Sequence, residues 1–270
     1  MHAAHRSTGL ELVVVAGLLL LALVGVRGWT RRRRSLPLPG WRLAAWLAGL
    51  GLVWLTTASP LAGLDRALLT AHMLKHLVLM TVAAPLLLVS QPIALLSSGL
   101  GLQQARVPVV LTTSSRAVTH PVLCWLAGTA TVLAWHVPAA MSLAMHSAFG
   151  HALQSASFLV GGLLFWWPVV QPWPSRPYWP AWSVPLYLLL ATLPCDALSA
   201  FLAFCGRPVY AAALSAALPE RLLADQERAG ALMWVWVTLV YLVPAVWQVL
   251  RLLAPAGDAH PAAFSYRPRR

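Results

Sequence analysis

The chain has 270 residues, of which 59% are hydrophobic and only 10% are charged. A soluble domain carries about 25% charged residues, so this composition excludes a soluble globule and indicates a membrane protein. The formal net charge is +12. Because the positive residues stand between apolar runs, membrane topology explains them better than a nucleic-acid partner.

Seven apolar runs approach the roughly 20 residues, about 17 at the least, that a helix needs to cross a bilayer. They are residues 10–26, 41–58, 67–89, 118–137, 151–170, 182–204 and 229–252. We therefore predict an all-α polytopic membrane protein with seven transmembrane helices in a single domain, residues 1–270. Four arginines, 31–34, follow the first run where a small-residue cleavage site would stand, so we expect a retained anchor rather than a signal peptide.

The positive residues predict the orientation, because cytoplasmic connections carry an excess of Lys and Arg. With the first connection in the cytoplasm, 13 of the 19 positive residues fall inside and six outside. We expect the N-terminus outside, the C-terminus in the cytoplasm, and a short basic cytoplasmic tail over residues 255–270. The segment 138–149 carries no charge, and Pro138 at its start favours a short helix at the outer interface.

Five of the nine histidines fall in one layer near the outer membrane face in this topology. His72 and His76 share one face of the third helix because they are four residues apart. His136 ends the fourth helix, His146 follows it, and His151 begins the fifth. A single histidine near a helix end most often only forms hydrogen bonds, but their shared depth favours a functional layer, since ionisable groups in membranes are costly.

Imidazole and thioether groups are good copper ligands, and thioethers favour Cu(I). The layer therefore predicts a copper site, with Cu(I) as the expected ion. Possible further ligands at the same depth are Met73, Met80, Met145, His146, Cys195 and Asp196. Packing is the ordinary role of a membrane methionine or a free cysteine, and Asp196 could instead pair with a neighbouring helix. We expect Lys75, a cation in this layer, to extend towards the lipid headgroups.

The same residues argue against several enzyme classes. His72 and His76 have the spacing of a zinc protease, but Met73 stands where the catalytic glutamate would be. The chain also has no glycine-rich phosphate loop and no Gly-x-Ser-x-Gly elbow. We therefore expect a protein that is not an enzyme.

Four stretches, in this order, resemble the CtaG-type cytochrome c oxidase assembly factor family. They are AHMLKHLVLMTVAAPLLLVSQP from Ala71, AWHVP from Ala134, HALQSASFLVGGLLFWWPVV from His151 and DQERAGALMW from Asp225. The resemblance covers residues 71–234 and implies a seven-span protein that helps to mature a haem–copper oxidase by supporting copper insertion. It maps the family's recurring histidines onto His72, His76, His136 and His151, and its Asp-Gln pair onto Asp225, a further possible ligand, and Gln226.

The resemblance implies cytochrome c oxidase subunits as partners, besides membrane lipids, and a multi-pass position in the bacterial cell membrane. The oligomeric state stays open. Two other functions also stay open: a bis-histidine haem protein of electron transfer, and a structural scaffold whose histidines only form hydrogen bonds. His72 and His76 share a helix face and so could not bind opposite sides of one haem. No inverted repeat is visible, which argues against a transporter.

Overall fold

The computed structural model describes residues 2–32, 38–102, 120–172, 179–212 and 219–254, and all regular elements in these ranges are helical. In chain order they are α1 (His2–Arg32), α2 (Gly40–Thr57), a 3₁₀ helix (Pro60–Arg66), α3 (Leu69–Val78), a π-helical turn (Leu79–Ala83), α4 (Ala84–Val89), α5 (Pro92–Leu100), α6 (Pro121–Trp135), α7 (Pro138–His146), α8 (Ala148–Val170), α9 (Ser183–Phe204) and α10 (Pro219–Leu253). The predicted all-α class is confirmed.

Five helical stretches in the described ranges are long and apolar enough to cross a membrane. They are Glu11–Arg32, Leu69–Val89, Ala148–Val170, Ser183–Phe204 and Glu220–Leu253. The helices α6 and α7, which meet at an angle of 75°, together could form a sixth. The helix α2 coincides with a predicted span but is less apolar, because its 18 residues include Arg42 and two terminal threonines. A multi-pass membrane protein is supported, and the count of seven stays a prediction.

The predicted orientation also stays a prediction. Several of the arginines on which it depends, including Arg33, Arg34, Arg106, Arg116 and Arg176, lie outside the described residues. The predicted basic tail, residues 255–270, lies outside them as well. The short helix that we expected after Pro138 is present as α7, with Met141 and Ala144 buried.

The helix that carries the first histidine pair is the most buried of the five candidate spans. Between α3 and α4 it widens into the π-helical turn, a feature frequent at functional sites. Trp166 of α8 donates its indole N–H to the carbonyl of Met80 inside this turn at 3.1 Å. Gly162 of α8 lies so close that a Cβ there would stand 2.7 Å from the same carbonyl oxygen. The turn and α8 therefore meet backbone to backbone.

Candidate functional site

The histidines predicted to lie together do come from neighbouring elements at one end of the bundle, where α3 and α8 begin and α6 ends. His72 and His76 lie on α3, His136 follows the last residue of α6, and His151 lies in the first turn of α8. The rings of His72 and His151 have their centroids 6.5 Å apart. His76 and His136 line one cavity.

The two histidines of α3 contact each other directly. Their Nε2 atoms are 3.0 Å apart, so one ring donates and the other accepts. Both are buried, with 0% and 4% of their surface exposed, and the ring of His76 stacks on Phe158 with centroids 4.1 Å apart. The Nδ1 atom of each histidine has no hydrogen-bond partner among the described residues.

A small cavity lies against His76. It measures about 30 Å³, the space of one water molecule or one metal ion. Its lining combines imidazole and sulfur groups with apolar side chains: Met73, His76, Leu77, Met80, Thr81, Val132, His136, Phe158, Cys195, Met233, Val237 and Tyr241. Four of the twelve carry sulfur, and two of these, Met73 and Met80, come from the same helix as His76.

His136 presents a second free ring nitrogen at this cavity. Its Nδ1 lies 2.7 Å from the carbonyl of Val132, one turn back, which fixes the ring. Its Nε2 has no hydrogen-bond partner in the described ranges, although the residue is buried. Buried polar atoms in native proteins are nearly always paired. Three unpaired imidazole nitrogens, on His72, His76 and His136, therefore point to a ligand, and copper fits these donors.

Asp65, in the 3₁₀ helix, is a site residue that the sequence reasoning missed. Its Oδ2 lies 2.7 Å from Lys75 Nζ and 2.7 Å from His151 Nε2. Burial opposes its ionisation, but the hydrogen bonds from His151 and Lys75 prevail and lower the pKa of Asp65 to about 2. Asp65 is one of only seven acidic residues and stands ten positions before Lys75, which was the available signal.

The expectation that Lys75 extends to the headgroups was wrong. Its ammonium is buried against Asp65 and His151, because an ion pair inside the bundle satisfies both charges. His151 is consequently held by Asp65 and does not line the cavity.

Asp225, named as a possible ligand, instead caps α3. Its carboxylate accepts hydrogen bonds from the backbone N–H of Leu69 at 2.6 Å and of Thr70 at 3.3 Å, and from the Thr70 hydroxyl at 2.5 Å. The first N–H groups of a helix lack partners within it. Since α3 begins after Leu68, which has no capping side chain, α10 supplies the cap from another part of the chain.

Gln226 acts in the same way on the segment after α9. Its side-chain oxygen accepts from Val209 N at 2.7 Å, and its amide donates to the carbonyls of Leu202 and Arg207, each at 3.1 Å. The hydroxyl of the following Tyr210 donates to the carbonyl of His136 at 2.9 Å. One turn of α10 thus positions both histidine-bearing segments.

The remaining predicted ligands divide by position. Met73, Met80 and Cys195 line the cavity, and Met145, partly buried, packs against the hydrophobic cluster that includes Met73. His146 is exposed and bonds the carbonyl of Ser142 in its own helix. Asp196 lies against Thr238 of α10, at 3.5 Å. Across the described ranges, no three His, Cys, Asp or Glu side chains are placed to hold a metal ion as they stand. Met233, which also lines the cavity, was not anticipated.

A family model described as the cytochrome c oxidase caa3 assembly factor (Caa3_CtaG) matches residues 20–254. The chain belongs to this family. CtaG membership confirms the resemblance carried by the four motifs and extends it on both sides of residues 71–234.

Curated relatives of this CtaG protein include two uncharacterized mycobacterial proteins. One is from Mycobacterium bovis and one from Mycobacterium tuberculosis, and each is 26% identical over 274 residues. The match covers 93% of this chain and 40% of the relative, so the chain spans about two fifths of the length of these relatives. No solved structure matches it.

Proposed function

We propose that this CtaG protein carries copper to a haem–copper cytochrome c oxidase during assembly, and that it holds the ion as Cu(I) between His76 and His136. The observation that carries the proposal is a cavity of ion size lined by His76 and His136, each with an unpaired, buried ring nitrogen, and with His72 in contact with His76. Oxidase subunits in the bacterial cell membrane are the proposed recipients.

The donor set favours the reduced ion. Cu(I) prefers thioether, thiolate and imidazole ligands, and the cavity offers Met73, Met80, Met233 and Cys195 beside the two imidazoles. Apolar neighbours such as Phe158 keep water away from the ion. Metal binding requires neutral imidazoles, and a buried, apolar setting favours that form.

His72 has a separate part in this proposal. It touches His76 through the 3.0 Å contact between their Nε2 atoms, so an ion that enters between them must replace this hydrogen bond. His72 is thus placed to receive copper and pass it to His76. The free Nδ1 of each ring allows either nitrogen to bind after a ring rotation.

A bis-histidine haem finds no support in this geometry. The rings of His72 and His76 lie 4.5 Å apart on one helix, which leaves no room for a macrocycle between them. The cavity of about 30 Å³ is also far too small for haem. A scaffold with structural histidines is the competing function, and copper binding separates the two.

The test is an anaerobic Cu(I) titration of the purified full-length protein against a competing chelator, with oxidase maturation measured in cells that lack the native protein. We expect one Cu(I) per chain. His76→Ala and His136→Ala should each weaken Cu(I) binding by at least about 10–100-fold, the loss seen when a residue that only supports a metal ligand is removed. Both variants should also impair maturation of the oxidase. His146→Ala is the matched control, because this histidine is exposed and lies outside the cavity. Unchanged copper binding and full oxidase activity in both cavity variants would leave the scaffold function.

A further inference from the structure

Lys75, Asp65 and His151 meet in a triangle of three atoms. Lys75 Nζ is 2.7 Å from Asp65 Oδ2, Asp65 Oδ2 is 2.7 Å from His151 Nε2, and Lys75 Nζ is 3.0 Å from His151 Nε2. The side chains of Lys75 and Asp65 are only 4% and 3% exposed, and that of His151 is 15% exposed. Lys75 is also the only lysine in the chain.

No placement of the hydrogen atoms makes all three contacts of this triangle hydrogen bonds. If His151 Nε2 carries a proton, it donates to Asp65, and its N–H then faces the ammonium of Lys75. If Nε2 is unprotonated, it accepts from Lys75, and its lone pair then faces the carboxylate at 2.7 Å. A metal ion in the place of the ammonium would draw both lone pairs towards itself and remove this conflict.

Two further observations point to a cation position here. Asp65 Oδ1 is buried and has no hydrogen-bond partner within the described part of the chain, so the carboxylate has a donor atom to spare. The ring of His72 lies beside that of His151, with centroids 6.5 Å apart. Carboxylate and imidazole together form a donor set for ions of intermediate softness, such as Cu(II) and Zn(II).

We propose that Asp65 and His151 form a binding position for a divalent cation of intermediate softness, and that the ammonium of Lys75 fills this position until the ion displaces it. A buried carboxylate needs a positive partner at all times, and Lys75 supplies it when no ion is present. The position is distinct from the cavity of His76 and His136. It rests on the proposed function only in taking copper as the natural ion.

Displacement of Lys75 is physically simple. A lysine has a long, flexible apolar stem that can lie along the helix while the ammonium reaches the headgroup layer. Lys75 lies on the second turn of α3, near the end of the bundle where the site lies. The ion then neutralises Asp65, and the neighbouring His72 connects this position to the proposed Cu(I) cavity.

The first experiment measures Zn(II) binding to the full-length protein in detergent by calorimetry, because Zn(II) has no redox chemistry. Lys75→Met removes the competing charge, and this variant should bind Zn(II) at least about tenfold more tightly than the natural protein. A tenfold gain is small compared with the repulsion between two positive charges at close range. Lys75→Arg keeps the charge and should show no gain. Adding Asp65→Asn to Lys75→Met should abolish the gain. Zn(II) affinity in Lys75→Met no higher than in the natural protein would overturn the proposal.

A second measurement needs no substitution at Lys75. An amine-reactive reagent should modify this single lysine slowly in the metal-free protein, where its side chain is 4% exposed, and several times faster with saturating Zn(II). Mg(II), which prefers oxygen ligands, should leave the rate unchanged. An unchanged rate with Zn(II) would contradict displacement, even if Lys75→Met failed to fold.

A variant that lacks the Cu(I) cavity separates this proposal from the proposed function. In His76→Ala combined with His136→Ala, the Zn(II)-dependent labelling of Lys75 should persist. Zn(II)-dependent labelling of Lys75 in a natural protein that does not bind Cu(I) would reject the copper-carrier function alone. Cu(I) binding by the natural protein without any effect of Zn(II) on Lys75 would reject the Asp65–His151 position alone.

Discussion

The carboxylate of Asp225 holds the backbone N–H of Leu69 at 2.6 Å, across 156 positions of the chain. This hydrogen bond fixes the first turn of α3, and His72 follows Leu69 by three residues. The cap therefore connects the stability of α3 to the position of the proposed copper ligands.

Asp225→Ala should destabilise the protein by about 1 kcal/mol, the usual cost of a lost N-cap, and should weaken Cu(I) binding because the start of α3 becomes less fixed. Asp225→Asn retains an acceptor oxygen and should restore most of both properties. Thermal unfolding and Cu(I) titration measure the two effects. Glu227→Ala, an exposed acidic residue on the same helix, is the control. If Asp225→Asn lost copper as fully as a cavity histidine variant, Asp225 would be a ligand rather than a cap.

Gln226→Leu should be more damaging to stability. It removes the partners of Val209 N and of the carbonyls of Leu202 and Arg207, and buried groups left unpaired cost about 1–3 kcal/mol each. The segment with Tyr210, whose hydroxyl holds the carbonyl of His136, should loosen. Chemical unfolding in mixed micelles measures the loss. Gln226→Glu keeps the acceptor for Val209 N but turns a carboxylate oxygen towards the carbonyls of Leu202 and Arg207, so it should be destabilised as well. Equal stability of all three proteins would contradict this account.

The ion pair of Asp65 predicts a loss of stability in acid. Its carboxyl pKa is lowered from 3.8 to about 2, so the folded state binds this proton less readily than the unfolded state. The stabilisation is complete above about pH 4 and disappears as the pH falls towards 2, a difference of about 2 kcal/mol. The melting temperature of the natural protein should fall in this window more steeply than that of Asp65→Asn. Parallel curves for the two proteins would show that Asp65 does not titrate in this way.

Gly162→Ala should separate α8 from the π-helical turn. The added Cβ would stand 2.7 Å from the carbonyl oxygen of Met80, and overpacking of this kind costs about 1–3 kcal/mol. Copper binding should weaken as well, because Met80 lines the cavity. Gly51→Ala is the matched control, since its Cβ would meet nothing within 4 Å, and it should be neutral or slightly stabilising. If Gly162→Ala were as stable as the natural protein, the two segments could move apart at no cost to accommodate the added Cβ.

The predicted orientation can be tested directly. A reporter at the C-terminus that fluoresces only in the cytoplasm should be bright, because 13 of the 19 positive residues lie on that side in the predicted topology. The same reporter placed after residue 57, at the end of α2, in a chain truncated there should be dark. The reverse pattern would place the histidine layer on the cytoplasmic side.

The sequence predicted the positions of the helices well, because each apolar run is a local signal. The spacing of His72 and His76 also gave their common face correctly. The depth of a residue in the membrane did not show which way its side chain points. Cys195 and Asp196 lie at almost the same depth, but successive residues on a helix point about 100° apart. Cys195 therefore lines the cavity, and Asp196 contacts Thr238 instead.

Contacts between distant segments could not be predicted in this way. The partners Asp65 and His151 are 86 residues apart, and Asp225 and Leu69 are 156 apart. Both contacts depend on how the helices pack side by side, which a single sequence does not encode in any local period. The widening of the helix at Leu79–Ala83 was missed for a related reason, since no glycine or proline marks its start.

The π-helical turn also sets how far α4 is rotated about the helix axis relative to α3. A π-turn corresponds to an α-helix with one residue inserted, and each residue turns the chain by about 100°. The histidines before the turn and the packing residues Ala84 and Leu88 after it therefore face their neighbours only because of this insertion. Deletion of a single residue between Leu79 and Ala83 would restore a regular helix and rotate one half against the other. The histidine-bearing and the anchoring surfaces of this helix are thus two separately adjustable parts, joined at a one-residue offset.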